Sequence, residues 1–217
     1  RYGLSLAKQL SGDLADRGLI IVSGLARGID TAAHEGALAA GGKTYAVLGN
    51  GLAHIYPPEN SGLARDIRAA GALLSEFPVA ATPEPYHFPL RNRVISGISV
   101  GTIVVEAARK SGSLITARLA AEQGREVLAV PGSTRSGKST GTHGLLKQGA
   151  QLVENAGDVL EAVAHMLPSS SEASPPPPSV SVSAPSRAKP KEELDKAEKQ
   201  VLELLEPYPV HIDDIAR

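Results

Sequence analysis

The sequence predicts an α/β protein built on a mostly parallel, doubly wound sheet. Two observations carry this. Short β-branched runs alternate with helix-period stretches along most of the chain, and the runs are nearly continuously apolar, as strands buried on both faces must be. The predicted strands are Leu19–Ser23, Thr44–Leu48, Leu73–Ser75, Thr102–Val105 and Val127–Val130. The predicted helices are Leu4–Arg17, Thr31–Ala40, Glu59–Ala70, Leu114–Gln123 and Ala156–Met166. Gly18, Gly41, Gly71 and Gly124 stand at or just past the ends of four of these helices, where glycine closes a last turn without strain. In such sheets a ligand lies beyond the carboxyl ends of the strands, so the loops that follow the strands are where function is expected.

The 217 residues, 42% of them hydrophobic, support one sizeable core with room for a small second module. Residues 1–167 read as that core. The segment Pro168–Pro190 holds seven prolines and eight serines and reads as a disordered or polyproline-like linker, residues 168–191. Residues 192–217 return to helical spacing, with Leu194, Ala197, Val201, Leu204 and Leu205, and read as the start of a second module. The sequence opens inside a helix with no strand before it, so it reads as a fragment at both ends. The net charge of −1 means that any phosphate-binding surface must be a local patch. No cysteine is present, which removes disulfides and thiolate metal sites and fits a cytoplasmic protein. No apolar run is long enough for a membrane helix.

Gly132–Ser139 satisfies the P-loop string G-x-x-x-x-G-K-S directly after a predicted strand. Its context argues against a nucleotide site. Thr140-Gly141-Thr142-His143-Gly144 is a poor opening for the helix a phosphate needs, and little chain remains to bring a magnesium-binding aspartate. The string is expected to be a basic, Ser/Gly-rich loop whose Lys138 can reach a phosphate.

Four other segments place small or basic residues at strand mouths. In Ser23–Asp30, glycines admit a phosphate and Arg27 offers a bidentate donor, the alternative being a plain turn with Asp30 as N-cap. In Phe88–Ile95, Arg91 and Arg93 flank Asn92, the alternative being a solvated helix start. In Glu106–Ala117, Ser113 is expected to cap the next helix while Lys110, Ser111 and free amides face an anion. Gly49–Asn60 is a turn whose Tyr56 is either a stacking platform or packing. All four fall at one edge of the sheet, and their convergence suits sequence-tolerant binding to a phosphate backbone. The six histidines show no metal-ligand spacing, and Asp30, Glu76 and Glu106 are expected to organise structure rather than catalyse.

Seven motifs in order carry a resemblance: Gly24–Asp30 with Ala33-His34, Tyr56-Pro57 with Glu59-Asn60, Ser75–Pro78, Phe88-Pro89 with Arg91–Arg93, Val105–Ala107, Ser111–Ala117 and Ala129–Gly132. Together they resemble the DNA-processing protein A family, DprA or Smf. The resemblance implies an extended Rossmann-like domain that binds single-stranded DNA in natural transformation, protects it and helps load the RecA recombinase. It implies a homodimer, no cofactor, no catalytic residues, and a C-terminal winged helix of which residues 192–217 are the first part. The family's DNA pocket then falls on Arg27, Gly28, Arg91, Asn92, Arg93, Lys110, Ser111, Gly112 and Ser113. Leu90 stands where many relatives are basic, and the family's opening strand is absent before Gly3. The competing readings are a Rossmann-like nucleotide-metabolising hydrolase, whose P-G-G-x-G-T-x-x-E pattern is broken here after Pro131-Gly132, and a P-loop nucleotidase.

Overall fold

A computed structural model describes residues 2–167; the expected linker and winged-helix start lie outside the described residues. In chain order the elements are α1 (Tyr2–Asp16), β1 (Ile21–Ser23), α2 (Ile29–Ala39), β2 (Thr44–Val47), α3 (Ser61–Ala70), β3 (Ala72–Leu74), α4 (His87–Gly97), β4 (Gly101–Val104), α5 (Ser113–Glu122), β5 (Glu126–Ala129), α6 (Thr140–Lys147), β6 (Gln151–Leu152) and α7 (Ala156–Val163). Single 3₁₀ turns precede α3 (Pro58–Asn60) and α6 (Gly137–Ser139) and follow α7 (Ala164–Met166).

Every strand pair is parallel, as the apolar runs predict. The strands form two three-stranded sheets, ordered β1-β2-β3 and β4-β5-β6. β1 and β4 are edges of their respective sheets, and both line a cavity of about 900 Å³. Consecutive strand residues enter different cores, because side chains alternate across a strand. On β5, Leu128 packs with Leu10 and Leu14 of α1 and Val159 of α7, while Val127 packs with Val104, Ala117 and Leu145 beneath α5 and α6. The second sheet is therefore covered on both faces. A third core holds Ala46 and Leu48 beneath Ala64 and Ile67 of α3.

The helix ends follow from local chemistry. Gly18, Gly41 and Gly124 take positive φ just past α1, α2 and α5, as their places in the sequence suggest. α7 opens with a reciprocal capping box, in which the Asn155 side chain accepts from the Gly157 and Asp158 amides and the Asp158 carboxylate accepts from the Asn155 amide. The Glu154 and Asn155 amides, both donating to it, hold the Asp158 carboxyl below its usual range.

The five predicted strands and five predicted helices are all present. Two elements, α6 and β6, were not foreseen, and a third, α4, is the helix start weighed as the alternative for Phe88–Ile95. α4 carries Pro89 in its first turn, where the missing amide hydrogen costs no helical bond. α6 forms despite its glycines, because Gly141 packs against Ala107 and its amide donates to the Ala107 carbonyl at 2.8 Å. Tertiary contact overrides the weak helix propensity there. β6 is two exposed residues long and leaves almost no pattern in the sequence.

Candidate nucleic-acid interface

The loop after β1 is shaped from inside. Leu25 is fully buried and turns the chain through a positive φ of 59°. The Asp30 carboxylate accepts from the Gly24 and Ala26 amides at 3.1 and 3.2 Å, so it braces the loop from the second position of α2; the N-cap is Gly28. Asn60 is nearly buried and donates to the Leu25 carbonyl and to Thr31 Oγ1, latching the Tyr56–Asn60 segment over the same loop. Arg27 is thereby left on the surface, its Nε paired with Glu59. The bond from Arg27 holds the Glu59 carboxyl below its usual range, and Glu59 and Tyr56 raise the Arg27 guanidinium. Tyr56 also lies 5.7 Å from the Phe88 ring, so it serves as packing at this edge.

Arg91 does not behave as the expected surface cation. It is only 5% exposed, and its Nη1 donates to the Gly24 carbonyl at 2.9 Å and to the Val47 carbonyl. These two carbonyls sit just past β1 and at the end of β2, so the guanidinium ties the two strand ends together. Desolvation lowers its pKa, partly offset by Asp30. Gly24 is required for this approach: a Cβ there would lie 2.5 Å from Arg91 Nη2. Arg93, one position past Asn92, is exposed and pairs with Glu76.

His34 is buried beside this strut. Thr44 Oγ1 donates to the Ile21 carbonyl at 2.7 Å and so must accept from His34 Nδ1, also at 2.7 Å. His34 Nε2 then faces the interior without a partner among the described residues. Burial pushes the imidazole pKa down to about 4, with Asp30 opposing and Arg91 adding to the shift. Sequence reasoning saw this histidine only as part of a motif.

The turn after β4 differs in character. The Ala107 amide donates to the Lys138 carbonyl, Ser111 Oγ and Ser113 Oγ are 2.8 Å apart, and α5 starts at Ser113. The expected Ser113 cap is not formed: the N-cap residue is Gly112 and no side chain closes the helix. The amides of Gly112 and Ser113 consequently have no acceptor among the described residues. Arg109 and Lys110 lie exposed beside them and, among the described residues, have no carboxylate within 4.0 Å.

The predicted site residues divide between two hollows. Arg91, Asn92, Gly112 and Ser113 line the large cavity with Asp30 and Glu106. Lys110 and Ser111 line a separate hollow of about 400 Å³ with Arg109 and Arg118, which sequence reasoning did not single out. Arg27, Gly28 and Arg93 line neither. The Ser111–Ser113 turn is a ridge between the two.

The P-loop string does follow the order strand, loop, helix, and α6 opens at Thr140 although its sequence is a poor opening for a helix. The loop nevertheless consumes its own amides: Ser136 donates to the Ser133 carbonyl, Ser139 to that of Ser136, Arg135 to Ser133 Oγ and Lys138 to Ser136 Oγ. The Gly141 amide is taken by Ala107, and Lys138 Nζ lies 3.6 Å from Glu106. Too few amides remain for the nest that grips a nucleotide's phosphates. No group of three His, Cys, Asp or Glu side chains among the described residues could hold a metal.

Residues 1–164 match the family model described as DNA recombination-mediator protein A, and residues 185–217 match the DprA winged helix domain. The chain belongs to the DNA recombination-mediator protein A family. It is 50% identical over 175 residues to Protein Smf of Escherichia coli, covering 79% of this chain and 47% of that one. The X-ray structure of DprA from Streptococcus pneumoniae is similar with a TM-score of 0.69 and 46% identity, over 74% of this chain and 56% of that one. DprA from Helicobacter pylori, described for its unique single-stranded DNA binding mode, matches with a TM-score of 0.69 and 32% identity over 77% and 76%. The chain spans about half the length of the curated relatives it matches. The extended Rossmann-like fold expected from the family is thus the fold observed, and no described helix is long and apolar enough to cross a membrane.

Proposed function

We propose that this chain binds single-stranded DNA through its phosphate backbone, protects incoming DNA in natural transformation and passes it to the RecA recombinase. One observation carries the binding reading: among the described residues, Arg109 and Lys110 have no carboxylate partner and stand beside the Gly112 and Ser113 amides, which have no acceptor, at the strand-end edge that also presents Arg27 and Asn92. Fixed cations and backbone amides grip phosphates and read little sequence. The related H. pylori protein, described as a single-stranded DNA binder, supports the choice of ligand. The residues proposed to touch DNA are Arg27, Gly28, Asn92, Arg93, Lys110, Ser111, Gly112 and Ser113, with Arg91 holding their frame. The chain works in the cytoplasm as a homodimer and as a binding protein rather than an enzyme.

A fluorescence-anisotropy titration of an unstructured oligonucleotide at two salt concentrations, with and without ATP and magnesium, tests this. Binding that weakens steeply with salt and ignores ATP is expected, since each phosphate contact releases counterions. Salt-insensitive binding, or none from folded protein, rejects it, and phosphate release lost on Lys138→Ala would restore the nucleotidase reading.

A further inference from the structure

We propose that the outer face of α5 carries a further nucleotide subsite, in which the base lies on Leu114 and Ile115 and its flanking phosphates are held by Lys110 on one side and Arg118 on the other. The inference rests on the single-strand binding reading and extends its track beyond the strand-end edge. The hollow of about 400 Å³ on this face has a half-buried apolar floor, Leu114 and Ile115, and a rim that includes Arg109, Lys110 and Arg118. The helix repeat explains the grouping: Leu114 and Arg118 are one turn apart, a rise of about 6 Å, on the same side of α5.

Three cations around one small hollow is a strong local bias in a chain whose net charge is −1. Among the described residues the one acid paired with them is Glu122, 3.5 Å from Arg118 in an exposed i,i+4 pair. Such a pair contributes little and exchanges readily for a phosphate. The floor is aliphatic, so it offers a base face dispersion contact without hydrogen-bond readout, which suits a sequence-tolerant binder. The hollow abuts the Ser111–Ser113 ridge, so a strand gripped at the free amides runs into it without a break.

The test is anisotropy with a ladder of oligothymidylates of increasing length against the parent chain, Arg118→Ala, Arg109→Ala, Arg118→Lys and Lys110→Ala. Arg118 is 70% exposed in its side chain, so the substitution leaves the fold intact, checked by circular dichroism. Arg118→Ala is expected to lower affinity several-fold, to reduce the slope of log K against log salt by about 0.7, the value for one single-strand phosphate contact, and to end the length dependence about one nucleotide earlier. Arg118→Lys restores the slope. Parent-like affinity, slope and length dependence in Arg118→Ala and Arg109→Ala, with binding still weakened by Lys110→Ala, overturns the subsite and leaves the strand-end reading standing. A folded parent chain that binds no member of the ladder overturns both.

Discussion

The halves of this domain use arginine in opposite ways. In the half built on β1–β3, each predicted cation is already engaged: Arg27 with Glu59, Arg93 with Glu76, and Arg91 with two backbone carbonyls. In the half built on β4–β6, Arg109 and Lys110 face outward beside a helix start whose first amides lack acceptors among the described residues. Identical residue types therefore build the site on one side and offer charge on the other. Burial sets Arg91 apart: a guanidinium that has lost its water must be satisfied by the fold, whereas the exposed pairs of Arg27 and Arg93 are free to exchange partners.

The sharpest way to break this contrast is at Arg91. Arg91→Ala should destabilise the domain by about 3 kcal/mol, because two buried carbonyls lose their donor and a void opens. Urea denaturation measures it. Parent-like stability with lost DNA affinity would make Arg91 a surface contact after all. Gly24→Ala should act in the same direction by displacing the same guanidinium.

A second large effect comes from His34, within the same strut. The folded state holds the imidazole near pKa 4 while the unfolded chain titrates near the ordinary histidine value of 6.5. The unfolded state thus binds more protons between these values, so stability is complete above about pH 6.5 and falls as the pH drops towards 4, by on the order of 3 kcal/mol in all. His34→Leu should flatten this part of the stability profile whatever it does at neutral pH. An unchanged slope in that variant assigns the loss to another group.

On the open side, Lys110→Ala should leave the unfolding midpoint where it is, weaken oligonucleotide binding several-fold and lower the salt slope by about 0.7. A drop in thermal stability would show that Lys110 supports the fold. The smallest effect is expected at Glu59. Glu59→Gln releases Arg27 from its carboxylate, so affinity at low salt should rise a few-fold with little change in stability. A fall in affinity instead would mean that Glu59 holds Arg27 in its binding pose.

The fold was legible wherever local pattern and burial agree. The predicted strands fall within two residues of the observed ones at nearly every end, because apolar runs between glycines have few other uses in a doubly covered sheet. α6 was hidden because its sequence argues against a helix and only the contact of Gly141 with Ala107 decides the matter. α4 was legible only as an alternative helix start over Phe88–Ile95, because the placing of Pro89 in its first turn is settled by the fold. The candidate site was legible as a list of residues but not as an arrangement. Arg91 and Arg93 are two positions apart on one helix, and nothing in their spacing says that one is buried and the other is not. Arg118 left a signal one helical turn from Leu114, although an exposed arginine on an amphipathic helix is common.

By itself the sequence determined the class of fold, the parallel sense of the strands, the loops on which the candidate site is proposed and the family, all of which follow from local periodicity, glycine placement and ordered motifs. Only the tertiary structure decided which arginines are struts, that the P-loop string consumes its own amides, and that the Ser111–Ser113 turn separates two hollows. The struts and the two hollows depend on which distant groups meet when the strand ends converge, and hydrogen-bond partners tens of residues apart leave no trace in local pattern.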